Sequence, residues 1–205
     1  MKKLLIGTGN PAKIKEYKKL LKPFGFEIVS AKDLGIIEPD EIGRTFEQTA
    51  IDKAKYYYNK SGVPTVVDDG GFEIEALNGE PGVKSRRWLG REMTDEEIIE
   101  EIMKRMQDVP NEKRASKHTV VVALATPYGI FTSDANIDGI VAEKPHTKRI
   151  EGFPYRSILY LPNYKKYWIE LSEEEDEILN HRRAALEKIK DIFIELSKEN
   201  KEKHA

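Results

Sequence analysis

Three groups of residues have the types and spacings that chemistry needs. The first is Gly7-Thr8-Gly9-Asn10-Pro11-Ala12-Lys13, which follows a short apolar run and precedes a helical pattern. A turn between a buried strand and a helix start leaves backbone N–H groups at the positive end of the helix dipole. Such a turn binds anions, and Lys13 adds a mobile positive charge. The same letters also suit a plain tight turn with a surface lysine. A phosphate loop of the Gly-x4-Gly-Lys-Ser/Thr type is absent, whereas Gly7-x-Gly9-x-x-Ala12, with Asp33 about 20 residues on, matches a dinucleotide-binding fingerprint.

The second group is acidic: Glu41 before Gly43, and Asp68-Asp69 at the end of a predicted strand. Carboxylates at a strand's carboxyl end, facing a phosphate turn, supply the oxygen ligands that Mg2+ needs when it bridges to substrate phosphates. One of them can also act as a general base toward water. Read alone, Asp-Asp-Gly-Gly is equally a polar turn and Glu41 a solvated loop acid. The third group is basic and aromatic: Lys53, Ser85 to Arg87, and His181-Arg182. His181 shares a helical face with Ile178 and Ala185 and reads first as a core histidine; His118 and His146 read the same way. Phe153 and Tyr155 can stack on a planar base or simply fill core.

The elements that must position these groups are legible in outline. Lys3 to Thr8 reads as a buried strand, with a helix from Pro11 through Ile14, Tyr17 and Leu21. Phe26 to Ser30 makes a second strand, and Lys32 to Gly43 a loop. Thr45 and Gln48 form a capping box for a helix that runs to Ser61-Gly62. Pro64 to Val67 and Phe72 to Leu77 are predicted as separate strands, followed by a Gly and Pro loop, Asn78 to Arg91. Thr94 and Glu97 cap a third helix that ends near Pro110. His118 to Thr126 and Ile130 to Val141 form a long hairpin, and Ser157 to Leu161 another strand. Ser172 and Glu175 cap one last helix with the face Ile178, Ala185, Ile189, Ile192 and Leu196. Lys165 to Trp168 fits a dimer surface, an edge strand or neither. Helices alternate with strands early and a hairpin dominates later, so an α/β fold on a mixed sheet is expected.

Composition removes several function classes. The 205 residues carry 34 Lys+Arg against 36 Asp+Glu, a net charge of -2, with no basic block of the kind that grips nucleic acid. No apolar run approaches the roughly 20 residues that cross a bilayer. The first six residues turn into Gly-Thr-Gly-Asn too soon for a signal peptide, and a cytoplasmic protein is expected. Zero cysteines exclude disulfides, thiol catalysis and zinc–thiolate sites.

In order, the motifs Thr8-Gly9-Asn10-x-x-Lys13, Glu41-x-Gly43-x-Thr45-Phe46-x-x-x-Ala50 with Lys53-Ala54, Asp68-Asp69-x-Gly71, Pro81-Gly82-Val83-x-Ser85-x-Arg87, Gly152-Phe153, Glu170-Leu171-Ser172 and His181-Arg182 span nearly the whole chain. This ordered set resembles the inosine/xanthosine triphosphate pyrophosphatase family, enzymes that remove deaminated purine nucleotides. The resemblance implies a single domain over residues 1–205 without a linker: two lobes on a long mixed central sheet, helices on both sides, a nucleotide cleft between lobes, and a homodimer. It implies hydrolysis of ITP, dITP and XTP to the monophosphate and pyrophosphate. Thr8, Gly9, Asn10, Lys13, Lys53 and Arg87 would hold phosphates. Glu41 and Asp69 would bind Mg2+, with Mn2+ as an alternative, and Asp69 would activate water. Gly70, Phe153, Pro154, Tyr155, Arg156, Asp176, His181 and Arg182 would surround the base.

The base half departs from that pattern. Relatives typically show Phe-Gly-Tyr/Trp-Asp-Pro where this chain has Phe153-Pro154-Tyr155-Arg156-Ser157, and a lysine where it has Asp176. Gly70 replaces a usual serine. If Arg156 and Asp176 face each other, the exchanged signs keep the pocket neutral. The alternatives are a pyrophosphatase with altered base preference, a nucleotide-binding pseudoenzyme, and a dinucleotide-binding module using Gly7, Gly9, Ala12 and Asp33.

Overall fold

Val120 to Ala125 is apolar at every position because its strand is covered on both faces, the arrangement that removes the usual alternation. The computed structural model describes residues 2–39 and 44–198. Its strands are β1 (Lys3–Ile6), β2 (Glu27–Ser30), β3 (Thr65–Ile74), β4 (Ala115–Thr126), β5 (Gly129–Val141), β6 (Leu159–Leu161) and β7 (Lys166–Tyr167). They form one seven-stranded mixed sheet in the order β2-β1-β3-β4-β5-β6-β7. β1 runs parallel to β2 and β3, whereas β6 runs antiparallel to β5 and β7. The helices are α1 (Pro11–Leu21), α2 (Phe46–Ser61), α3 (Asp95–Arg105), α4 (Glu173–Leu179), α5 (His181–Lys188) and α6 (Lys190–Lys198).

The chain divides into two compact units. The first comprises residues 1–69, 120–135 and 182–205. On one face of its strands Leu4, Ile6, Val66, Val120, Val122 and Leu124 meet α1, α5 and α6 through Tyr17, Leu21, Ala185 and Phe193. On the other, Leu5, Val67, Val121, Ala123 and Ala125 meet α2 through Ala50, Ala54 and Tyr57. The strict alternation of Leu4, Leu5 and Ile6 between the two clusters is the period of two expected of a strand.

The second unit comprises residues 70–119 and 136–181. Phe72, Ile74, Ile137, Val141, Leu159 and Leu161 pack against Ile98, Ile99 and Ile102 of α3. A reciprocal cap starts α3: Thr94 N–H donates to Glu97 Oε2 at 2.8 Å and Glu97 N–H to Thr94 Oγ1 at 3.2 Å. Just past its end, the buried Arg114 guanidinium donates to the carbonyls of Met106, Val109, Val141 and Ala142. It thereby satisfies the carbonyl of Met106, the residue that caps the helix end, and ties it to the end of β5.

Four expectations need correction. Asp68-Asp69-Gly70-Gly71 is no turn, because β3 runs straight through it from Thr65 to Ile74. β3 lies between β1 and β4 in the sheet, paired to β1 at Thr65 and Val66, and it continues extended past the end of β1, against the turn preference of Asp and Gly. Thr45 Oγ1 accepts Gln48 N–H at 3.1 Å, but the Gln48 side chain donates to Asp52, so only half of that capping box forms. The last helix is three helices: Asn180, with ψ 107, ends α4. The break rephases the face, leaving Ile178 81% exposed while Ala185, Ile189 and Leu196 stay buried. Finally, residues 154–157 form a 3-10 turn, and β6 starts only at Leu159. Lys166–Tyr167 is the edge strand.

Phe193 fastens α6 to its unit, fully buried with ring centroids 5.1 Å from Phe24 and 6.3 Å from Phe26. Phe193→Ala is expected to lower unfolding free energy by about 3–5 kcal/mol, measured by urea denaturation followed by circular dichroism.

Candidate active site

In the first unit β1 ends at Ile6, and the chain turns at Gly7 because nothing larger fits. A Cβ there would lie 2.5 Å from the Tyr57 ring and 2.6 Å from Val67. Thr8 is buried, and its Oγ1 accepts Asn10 N–H at 3.2 Å. Asn10 caps α1, its Oδ1 accepting the N–H groups of Ala12 and Lys13 at 2.9 and 3.4 Å, with Pro11 at the first helical position. These local bonds aim Lys13 so that its Nζ reaches Asp68 Oδ2 at 3.0 Å. Lys53 lies on the inner side of α2, 4% exposed, and its Nζ is 3.5 Å from Glu38 Oε1. Glu38 Oε2 in turn accepts Gly9 N–H at 3.1 Å.

Asp68 is the hub of this group. Besides Lys13, its Oδ2 accepts from Arg182 Nε at 3.2 Å and pairs with Arg182 Nη2 at 3.1 Å. Arg182 Nη1 donates to Glu16 Oε2 at 3.0 Å. Burial alone would push the Asp68 carboxyl up, but Lys13 and Arg182, with Lys53 adding to them, hold it well below the usual carboxylate range. Burial would lower Arg182, and Asp68 and Glu16 instead raise it further. Burial and the charge of Asp68 raise the adjacent Tyr17 phenol well above its ordinary value, so it stays neutral. Asp69, next along β3, is half-buried.

The second unit gathers aromatic rings. Tyr155 stacks on Phe72 with centroids 4.8 Å apart, and burial pushes its phenol up to about 12. The His118 ring lies 4.9 Å from His181, 5.4 Å from Tyr155 and 5.4 Å from Trp168. Arg156 Nη2 donates to Asp176 Oδ2 at 3.1 Å, and Nη1 pairs with Oδ1 at 3.0 Å. The exchanged charges are therefore a two-pronged pair. Trp168 Nε1 also donates to Asp176 Oδ1 at 2.9 Å, and the Arg156 guanidinium lies over the Trp168 ring at 4.5 Å and the Phe153 ring at 5.5 Å. Gly152 N–H donates to Asp95 Oδ2 at 2.6 Å, which anchors the loop that carries Phe153 and Pro154.

Of the residues named from sequence, Lys13 and Arg182 thus meet through Asp68 in the first unit. Phe153, Tyr155, Arg156, Asp176 and His181 lie in the second, where Gly70 opens the second half of β3. Arg182 turns its three nitrogens toward Asp68 and Glu16. Arg87 is exposed and, among the described residues, joins neither group. Glu41 and Gly43 lie outside the described residues. Asp33 accepts from the Ser30 N–H and hydroxyl at 2.9 and 2.7 Å, closing its own turn. Sequence reading gave no distinct role to Asp68, Glu16 and Glu38 in one unit or to His118, Trp168 and Phe72 in the other. Only Asp68 had a signal: two adjacent acids in a strand point to opposite faces, so one must meet the core.

The Ham1 family model matches residues 4–192. The chain belongs to the Ham1 family. Relatives named dITP/XTP pyrophosphatase include one from Yersinia pestis, 35% identical over 199 residues covering 94% of this chain and 98% of its own. Another, from Thermus thermophilus, is 36% identical over 194 residues and 92% of each chain. Among solved structures, a HAM1 protein from Coxiella burnetii superposes with a TM-score of 0.84 at 28% identity, over 95% of this chain and 100% of that one. The Staphylococcus aureus Ham1 protein gives 0.81 at 26% identity, over 93% and 97%. The open seven-stranded sheet is thus the Ham1 fold.

Removing the hub charge isolates its worth. Asp68→Asn leaves Arg182 and Lys13 facing a neutral group and is expected to destabilise the protein by about 3 kcal/mol at pH 7. Because the folded carboxyl titrates below the unfolded one, the wild type's advantage is complete above about pH 4 and shrinks as pH falls further. Urea midpoints of both proteins from pH 7 to pH 3, with chelator present, check this; a gap that stays constant would contradict it.

Proposed function

We propose that this Ham1 protein hydrolyses non-standard purine nucleoside triphosphates, ITP, dITP and XTP, to the monophosphate and pyrophosphate. Two relatives at 35% and 36% identity are named dITP/XTP pyrophosphatase. The observation that carries the reading is the convergence of Lys13 and Arg182 on one buried carboxylate beside a glycine turn, with Lys53 nearby. Phosphoryl transfer needs charge neutralisation and positioning more than covalent help, and two lysines beside the glycine turn supply both. Lys13 and Lys53 would hold the triphosphate with Thr8, Gly9 and Asn10. Arg182 works through Asp68, keeping it ionised so that Asp68 aims Lys13.

Asp69 and Glu41 would hold Mg2+. The fit is partial among the described residues: Asp69 is a half-buried hard oxygen donor next to the phosphate-binding lysine's partner, while Asp68 is already taken by two cations. When bound, Mg2+ (or Mn2+) would neutralise charge on the phosphate oxygens. Asp69 would take the proton of the attacking water on a carboxylate oxygen.

Base reading would fall to the second unit. Phe153 and Tyr155 offer faces for stacking, and His181 offers a donor toward a 6-keto oxygen. Adenine would put an amino donor against that donor, leaving it unpaired at a cost of about 1–3 kcal/mol, or about 5- to 150-fold in preference. The Arg156–Asp176 pair supports retention of purine reading despite the exchanged signs, because it keeps the pocket neutral and satisfied. The protein is expected to act as a cytoplasmic homodimer. No described helix is long and apolar enough to cross a membrane.

Pyrophosphate release from ITP, XTP, dITP, ATP, GTP, CTP and UTP, with a chelator control, tests the assignment. Preference for ITP and XTP is expected, and equal turnover of ATP would refute the base reading. Asp69→Asn should cut release about a hundredfold or more with an unchanged melting curve; normal activity would remove Asp69 from its role. For the exchanged pair, R156D and D176K should each raise KM for ITP, and the double variant should recover most of the loss. Equal defects in single and double variants would mean that charge pairing is not what the pocket needs.

A further inference from the structure

In the glycine turn the N–H of Gly7 continues the sheet, donating to Val66 O at 2.9 Å, and those of Thr8, Asn10, Ala12 and Lys13 are bonded locally. Thr8 N–H donates to Ile6 O at 3.2 Å, Asn10 N–H to Thr8 Oγ1 at 3.2 Å, and those of Ala12 and Lys13 to Asn10 Oδ1. Gly9 differs: its N–H donates to Glu38 Oε2, 29 residues away in sequence, at 3.1 Å. The other oxygen of the same carboxylate lies 3.5 Å from Lys53 Nζ, whose side chain is 5% exposed. The absence of a side chain at position 9 makes the approach possible, since a Cβ there would lie 2.6 Å from Glu38 Oε2.

One carboxylate thus bridges an amide donor and a buried ammonium, the two groups that the reading above gives to the polyphosphate, on which this inference rests. Carboxylate and phosphate oxygens ask for the same partners: N–H donors and positive charge. We propose that Glu38 is an internal competitor for the polyphosphate, filling the Gly9–Lys53 seat in the nucleotide-free molecule and yielding it to substrate. Its side chain is 43% exposed, so water can take the carboxylate when it leaves and the pair is a weak one. A triphosphate, with several charges shared among Lys13, Lys53 and the turn, displaces a single carboxylate readily. A monophosphate product or free phosphate gains less from the exchange. Glu38 therefore sets a threshold of anionic charge for entry and favours release of the nucleoside monophosphate.

The probe is inorganic tripolyphosphate, titrated calorimetrically into the full chain with chelator present, for wild type, Glu38→Gln and Glu38→Ala. Both variants should bind it about three- to thirtyfold more tightly and show a lower KM for ITP. The difference from wild type should shrink at high salt, where the displaced ion pair is screened. Unchanged or weaker tripolyphosphate binding in both variants would overturn the proposal. So would a raised KM with a reduced kcat, which would make Glu38 a supporter of substrate or metal rather than a rival. The two readings fail separately. Tighter tripolyphosphate binding in a protein that hydrolyses no nucleotide keeps the competitor and discards the pyrophosphatase. Turnover of ITP with tripolyphosphate binding indifferent to Glu38 does the reverse.

Discussion

A carboxylate at 1% exposure survives burial only because cations face it closely, and Asp68 has Lys13 at 3.0 Å and Arg182 at 3.1 Å. Each partner depends on the others. Arg182 is itself 4% exposed and is tolerated because Asp68 and Glu16 take its nitrogens. Lys13 comes from the first turn of α1, which Asn10 caps. A buried pair of this kind adds little net stability over an apolar packing of the same volume, yet losing one partner is costly. Its value lies in placement, since it fixes a lysine, a strand and a helix start with respect to one another inside a single unit.

What was legible in the sequence was mostly local. The Thr94/Glu97 and Ser172/Glu175 caps repeat at three-residue spacing and formed as read. The doubly covered strand β4 announced itself by an unbroken apolar run. The failures share a cause: contacts distant in sequence override local preference. Asp and Gly signal a turn, but β3, set between β1 and β4 in the sheet order, stays extended through residues 68–71. The helical period of the last segment was followed across Asn180, and one residue of irregular backbone was enough to turn Ile178 to solvent. Glu38 left no trace in a local pattern because Gly9 and Lys53, its partners, lie far from it along the chain on either side.

The second unit shows a different economy. Arg156, Asp176 and Trp168 form a closed set in which the guanidinium is held by a carboxylate on one side and covers an indole on another. Motif comparison could report only that two signs had been exchanged. That they meet in a two-pronged geometry, with the indole N–H as a third tie, belongs to three-dimensional packing. The planar fork of arginine suits this role, whereas a lysine would give one point of attachment.

Both outer strands of the sheet are short. β2 has four residues and β7 two, and Lys166 of β7 is held through its Nζ by both oxygens of Glu175 at 2.7 and 2.8 Å. A long bare edge offers its backbone to any extended peptide, and brevity together with an anchored lysine withdraws the offer. The sheet therefore ends in neither direction as a template for fibril growth.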